Sequence, residues 1–284
     1  MRRQPVFCAF LAAALALVWG CASLDYASIA TIAVKTGVKA TEAARPISDS
    51  EEYYIGRAVA ARVLGGNRLY TDPQLTLYVN EVGQTVARKS TRPNTYRGYH
   101  FAVLDTTEPN AFACPGGIIF VTRGLVQMCG NEDELAAVLA HEVGHVANKD
   151  GINSISQARW SQVATTLGTE TAKQYGGVGG QLATLFEGSI EDVFKTIVVN
   201  GYSRSAEEAA DAQAVTTLKA AGYDPGALTA LLTKMQAKQG GATGIYKTHP
   251  PTSDRLAKVK SLAPAGAPDQ MEAVRSKRFQ SLKL

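Results

Sequence analysis

Five residues, His141-Glu142-Val143-Gly144-His145, constrain this chain more than any other stretch, because their flanks place them on a helix. Asn131, with Glu134 three positions on, forms a capping box, and Leu135, Val138 and Leu139 supply an apolar stripe at helical spacing. On a helix, positions i and i+4 lie one above the other, so both imidazoles leave the same face. Glu142 sits about 100° around the axis, beside them. Two inward imidazoles next to a buried stripe call for a facing element with a further polar donor.

Paired imidazoles at this spacing suit Zn2+, which takes nitrogen and carboxylate ligands and lowers the pKa of its water to about 7. The reading is one Zn2+ per chain held by His141 and His145, with Glu142 as the base that takes the water's proton. The third ligand is expected from a second helix. Ser205-Ala206-Glu207-Glu208 reads as the cap of a helix that runs to Ala221 and closes at Gly222. Glu207 and Asp211 are four apart and share a face, so one can bind the metal while the other accepts an imidazole N–H. Glu208 points elsewhere and reads as a capping-box carboxylate. His249, read alone before Pro250-Pro251, is a loop residue, and His100 in a strand is structural.

The rest of the chain supports one globular domain with an N-terminal extension. At 284 residues with 45% hydrophobic and 19% charged, it can bury a sizeable core. A helix follows Ser48-Asp49-Ser50-Glu51, with Tyr54, Ile55, Ala58, Val59 and Val63 as its stripe and Gly65-Gly66 as its stop. A second begins after Asp72-Pro73 with Leu75, Tyr78, Val79, Val82 and Val86. Tyr99 to Leu104 and Gly117 to Thr122 read as strands, joined by a loop through Pro109, Asn110 and Pro115. A last helix is capped by Thr252 or Ser253. The domain spans 48–262, and 263–284 reads as a poorly periodic C-terminal tail. The formal charge is +4, of which Arg2 and Arg3 supply two, too little to argue for nucleic acid.

His141 to His145, followed by Tyr202-Ser203-Arg204-Ser205-Ala206-Glu207-Glu208-Ala209-Ala210-Asp211, resembles the zinc metallopeptidases that include the CAAX prenyl proteases, the HtpX heat-shock proteases and periplasmic lipoprotein proteases. The likeness extends to Asn110-Ala111-Phe112-Ala113-Cys114-Pro115-Gly116-Gly117, to Arg123-Gly124-Leu125 and to Thr248 through Arg255, covering roughly 50–260. It implies an α+β fold, a mainly helical zincin-like (gluzincin) metalloprotease domain with a small antiparallel or mixed β-sheet. It also implies Glu207 as third ligand, Asp211 in support, and Arg255 as an organiser of the cleft. His249 is then placed over the site, steadying an oxyanion or filling the open zinc position in a resting enzyme. Asn110, Ala111, Phe112 and Ala113 resemble the family's edge segment, along which an extended substrate adds as a strand. Cys114 departs from the aliphatic residue usual there.

Arg2 and Arg3 before the apolar run Val6 to Val18, ending in Trp19-Gly20-Cys21, have the layout of a secretory signal over 1–20. A small residue before Cys21 resembles the bacterial lipobox, although Trp19 departs from it. Lipidation of Cys21, a tether over 21–47 and no Asp just after Cys21 imply a periplasm-facing protein anchored to the outer membrane of a Gram-negative bacterium. Cys114 and Cys129 are then a disulfide pair or two buried thiols. The Gly176–Gly180 joint between the ligand helices suggests a lid. The function expected is endoproteolysis of unfolded or misassembled envelope polypeptides, and the rival is an envelope chaperone or assembly factor with a structural or regulatory zinc.

Overall fold

Residues 47–154, 190–237, 243–263 and 271–282 are described by a computed structural model, and all of them belong to one unit. The signal segment, Cys21, the tether up to residue 46 and the Gly176–Gly180 joint lie outside the described residues. The elements are α1 (Asp49–Gly66), α2 (Pro73–Ala87), β1 (His100–Leu104), β2 (Ala111–Cys114), β3 (Ile118–Thr122), α3 (Arg123–Met128) and α4 (Glu132–Ala147). After a π-helical turn at Lys195–Asn200 come α5 (Arg204–Ala221), α6 (Gly226–Ala237), α7 (Ile245–Thr248), α8 (Ser253–Leu262) and α9 (Glu272–Gln280). The fold is α+β and mainly helical, with a mixed sheet. No helix among the described residues is long and apolar enough to cross a membrane.

The sheet has the order β1-β3-β2, with β1 parallel and β2 antiparallel to β3. Strand side chains alternate between faces. Phe101, Val103, Ala111, Ala113, Ile119 and Val121 join the larger core with α2 and α4, while Leu104, Phe112, Cys114 and Phe120 join a smaller one under α1. Burial on both faces explains why β2, Ala-Phe-Ala-Cys, is apolar throughout. The loop read at Asn110 to Pro115 is therefore corrected to a strand over Ala111–Cys114, bounded by the two prolines.

The disulfide reading is also corrected. Cys114 and Cys129 are both free and buried, and they belong to the two different core clusters. Burial pushes both thiols well above their usual range, so neither is a ready nucleophile.

Helix caps decide where the site helices start. Asn131 accepts from Glu134 N, as expected, but the Glu134 carboxylate turns to Gly130 N (2.7 Å) and Lys234. Helix α5 is capped by Ser203 rather than Ser205, its hydroxyl accepting from Ala206 N, so Glu208 is no capping carboxylate and instead meets Lys258 at 2.8 Å. Asp72 caps α2, Thr252 caps α8, and Gly222 closes α5 in the left-handed region. Tyr54, read into the stripe of α1, faces solvent at 53% exposure, whereas Ile55, Val59 and Val63 are buried.

The C-terminal stretch is not a tail throughout. Helix α9 buries Phe279 against Tyr78 and pairs Arg275 with Asp133 and Arg278 with Glu132 at the start of α4. Glu132 is fully buried and also accepts from Tyr78 and Tyr223 hydroxyls. Carboxylates suit a helix N-terminus, and their cations arrive from nearly 150 residues downstream.

Candidate metal centre

Helix α4 meets α5 closely because Gly144 has no side chain: a Cβ there would stand 3.1 Å from Ala210 O. That approach sets Glu207 and Asp211 of α5 opposite His141 and His145 of α4. A second glycine acts at the other wall. Gly201, at φ +79, lies so near Thr248 O that a Cβ would fall 2.4 Å from it. The chain thus carries Tyr202 beneath His145 with rings stacked at 4.1 Å, and holds the Thr248–His249 turn close by.

Four donors converge. His141, His145, Glu207 and His249 each offer one atom, all within 4.8 Å of one another, and all four residues are buried. His145 Nε2 is 3.1 Å from His141 Nε2 and 3.3 Å from Glu207 Oε1, and His249 Nδ1 is 3.3 Å from His141 Nε2 and 3.0 Å from Glu207 Oε1. Zinc bonds of about 2.0–2.1 Å set tetrahedrally would hold neighbouring donors about 3.3 Å apart, so this cluster fits the ion. Lone pairs aimed at one another across such distances repel unless a cation or shared protons lie among them.

Around the donors stand the groups that hold them. His141 Nδ1 is 3.0 Å from Asp211 Oδ1, and His145 Nδ1 is 2.8 Å from Asp150 Oδ2. Arg255 grips Asp211 with Nε and one terminal nitrogen, both at 2.8 Å, and reaches Glu207 Oε2 at 2.7 Å with the other. Burial works to raise the Asp211 carboxyl, but Arg255 and His141 hold it down to about 2. Burial likewise opposes ionisation of Glu207, and the histidines keep it well below the usual carboxylate range. For His141, burial disfavours charge, yet Asp211 and Glu207 push its pKa up to about 10. Both carboxyl groups are therefore held in the ionised form, which suits Glu207 to a cation and Asp211 to accept from His141.

Glu142 is buried beside the cluster, with Oε1 3.6 Å from His249 Nε2 and Oε2 lacking a hydrogen-bond partner among the described residues. Asn110 links the edge strand to the His249 turn: its Oδ1 accepts from Ala111 N at 2.9 Å and from Thr248 Oγ1 at 3.1 Å. Thr122 N donates to Asn110 O, so alternation along the pair turns the main chains of Asn110 and Phe112 toward β3 and those of Ala111 and Ala113 outward. Phe112 also sends its side chain into the core under α1. His100 lies apart, exposed on β1. Sequence reasoning missed Asp150 as a partner of His145, and it quoted Tyr202 only as part of a motif. An aromatic immediately before a helix cap was the available signal for the latter.

A mainly helical α+β domain sets HExxH of α4 opposite Glu207 of α5, an arrangement that could hold a metal ion between two histidines and a carboxylate. The chain belongs to peptidase family M48, whose description matches residues 73–263. It is 28% identical over 235 residues to the beta-barrel assembly-enhancing protease of Escherichia coli, covering 78% of this chain and 46% of that one. It is 30% identical over 192 residues to the mitochondrial metalloendopeptidase OMA1 of Schizosaccharomyces pombe, covering 66% and 53%. Against the metalloprotease YcaL of Escherichia coli it is 26% identical over 260 residues, covering 90% and 96%. The chain spans about half the length of the first two relatives. Zinc is the metal of the family, and the four-donor cluster suits it.

Proposed function

We propose that this chain is a zinc endopeptidase in which His141, His145 and Glu207 hold the metal, Glu142 is the base and His249 closes the fourth position at rest. The observation that carries the reading is the convergence of four buried donors beside a carboxylate with a free oxygen. Zn2+, when bound, supplies Lewis acidity that activates water and polarises a carbonyl. Glu142 takes the proton from water and delivers it to the leaving amine. Asp211 and Arg255 hold His141 and Glu207 in place.

An extended substrate binds as a strand along β2, using the outward N–H and C=O groups of Ala111 and Ala113. Such binding reads main chain more than side chain, which favours unfolded polypeptides. Asn110 joins this edge to the His249 turn, so a strand that competes for Ala111 N–H also loosens the turn. The substrates we infer are unfolded or misassembled envelope proteins, reached from a lipid anchor at Cys21 on the periplasmic side of a Gram-negative outer membrane. The names of the bacterial relatives and the signal-like first 20 residues support that setting.

A second reading, an assembly factor with a structural zinc, is favoured by the same closed geometry, since structural sites fill all four positions. His249→Ala separates the two. A resting peptidase keeps one zinc per chain when saturated, binds it more weakly and hydrolyses an unfolded substrate faster, by about tenfold or more if the open state is about 10% populated or less at rest. A structural centre loses zinc and shows no hydrolysis in either form. Rates and zinc content measured on the same samples decide between them.

A further inference from the structure

Helix α4 ends at Ala147, and the next residues turn in an unusual way. Lys149 has φ 57, the one non-glycine residue with positive φ among the described residues. An L side chain in the left-handed region is strained, and glycine is the usual occupant after a helix end. Here the strain is held by contacts: Lys149 Nζ meets Asp49 Oδ1 at 3.0 Å and Glu52 Oε2 at 3.5 Å, and Arg92 clamps the same two acids at 2.9 and 2.8 Å. The result of the turn is that Asp150 comes back beneath the helix it has just left. Its Oδ2 lies 2.8 Å from His145 Nδ1, on a side chain with no exposure.

We propose that Asp150 is a positioning residue of the metal centre, fixing the tautomer and ring orientation of His145 as Asp211 does for His141. The proposal rests on the zinc reading of the site. His145 faces the donor cluster with Nε2, so Nδ1 must carry the ring proton and needs an acceptor that burial denies it from water. Asp150 is that acceptor, and Tyr202, stacked on the ring at 24° between planes, restrains its rotation from the side. The two carboxylates differ in their own support. Asp211 is gripped by the Arg255 fork, whereas Asp150 is placed by backbone, through the strained residue before it. The Lys149 clamp to α1 thereby becomes part of the metal centre's framework, although it touches no ligand.

Partners behind a zinc-bound histidine are commonly worth about 10–100-fold in metal affinity. Zinc affinity of the full chain, measured by competition with a chromophoric chelator at neutral pH, is expected to fall by that factor in Asp150→Ala. In Asp150→Asn the amide oxygen still accepts from Nδ1, so much of the loss is recovered. The visible spectrum of the Co2+-loaded protein is expected to change in Asp150→Ala and to return toward the native one in Asp150→Asn. The melting temperature of the metal-free forms, read in parallel, confirms that each variant is folded at the temperature of the titration. If folded Asp150→Ala, or folded Asp150→Leu should the alanine form not fold, binds zinc within twofold of the native chain with an unchanged Co2+ spectrum, Asp150 is merely structural and the proposal falls. A native chain that binds no zinc overturns the metal reading itself, and this assignment with it.

Discussion

Glu142→Gln is expected to lower hydrolysis of an unfolded polypeptide by about 10²–10⁴-fold, the range for loss of a general acid–base group, while leaving one zinc per chain. The expectation follows from where Glu142 stands. It is on the ligand helix but turned about 100° from the histidines, so it does not join the donor set, and its free Oε2 is buried beside that set. Glutamine keeps shape and burial but cannot accept a proton. Initial rates with and without saturating zinc, together with metal content by atomic absorption, check both halves of the statement. Loss of zinc along with activity would instead make Glu142 a ligand.

Arg255→Met is expected to cost about 3–5 kcal/mol of stability in the metal-free protein, because it removes the guanidinium that binds two buried carboxylates. Arg255 is 2% exposed and binds Asp211 with two nitrogens and Glu207 with the third, besides donating to Pro250 O at 3.1 Å. Arg255→Lys keeps the charge but loses the fork, so it falls between native and methionine forms. Urea unfolding of the metal-free forms measures these differences, and saturating zinc raises the stability of each form because it binds only the folded protein. The same pair gives a pH signature. Asp211 has a depressed folded pKa, so its contribution is complete above its unfolded value of 3.8 and is lost as pH falls through about 2. The native protein loses about 2 kcal/mol over that window through this group, and Arg255→Met loses much less.

The parts of this protein that were legible in its sequence are those fixed by local spacing. The helix under His141 and His145, its Asn131 cap, a helix start beside Asp72-Pro73 and the Gly222 stop follow from near neighbours, and all appear; of Thr252 and Ser253, both readable as the cap of α8, Thr252 is the one. The shared face of Glu207 and Asp211 also follows from spacing, although choosing between them as ligand needed the family resemblance. What was not legible depends on contacts made over long separations. Strand β2 is four residues between prolines and becomes a strand only because β3 pairs with it. Helix α9 looks polar, and its two buried residues, Arg275 and Phe279, gain meaning only from Asp133 and Tyr78. Asp150 lies five residues after His145, beyond helical reach, and meets it only because Lys149 adopts a left-handed turn. Ser205 reads as the cap of α5, but Ser203, two residues earlier and equally able, is the one that caps it, because α5 starts at Arg204.

The central claim, that the four-donor cluster is a peptidase's zinc site closed at rest by His249, meets its most direct test in fragment mapping. An unfolded polypeptide is incubated with the zinc-loaded native chain and with His249→Ala, with and without a chelator, and the products are read by mass spectrometry. Internal cleavages that a chelator stops and added zinc restores, faster in His249→Ala, are the expected result. Intact substrate with both zinc-loaded forms, or cleavage that persists under chelation, would contradict it.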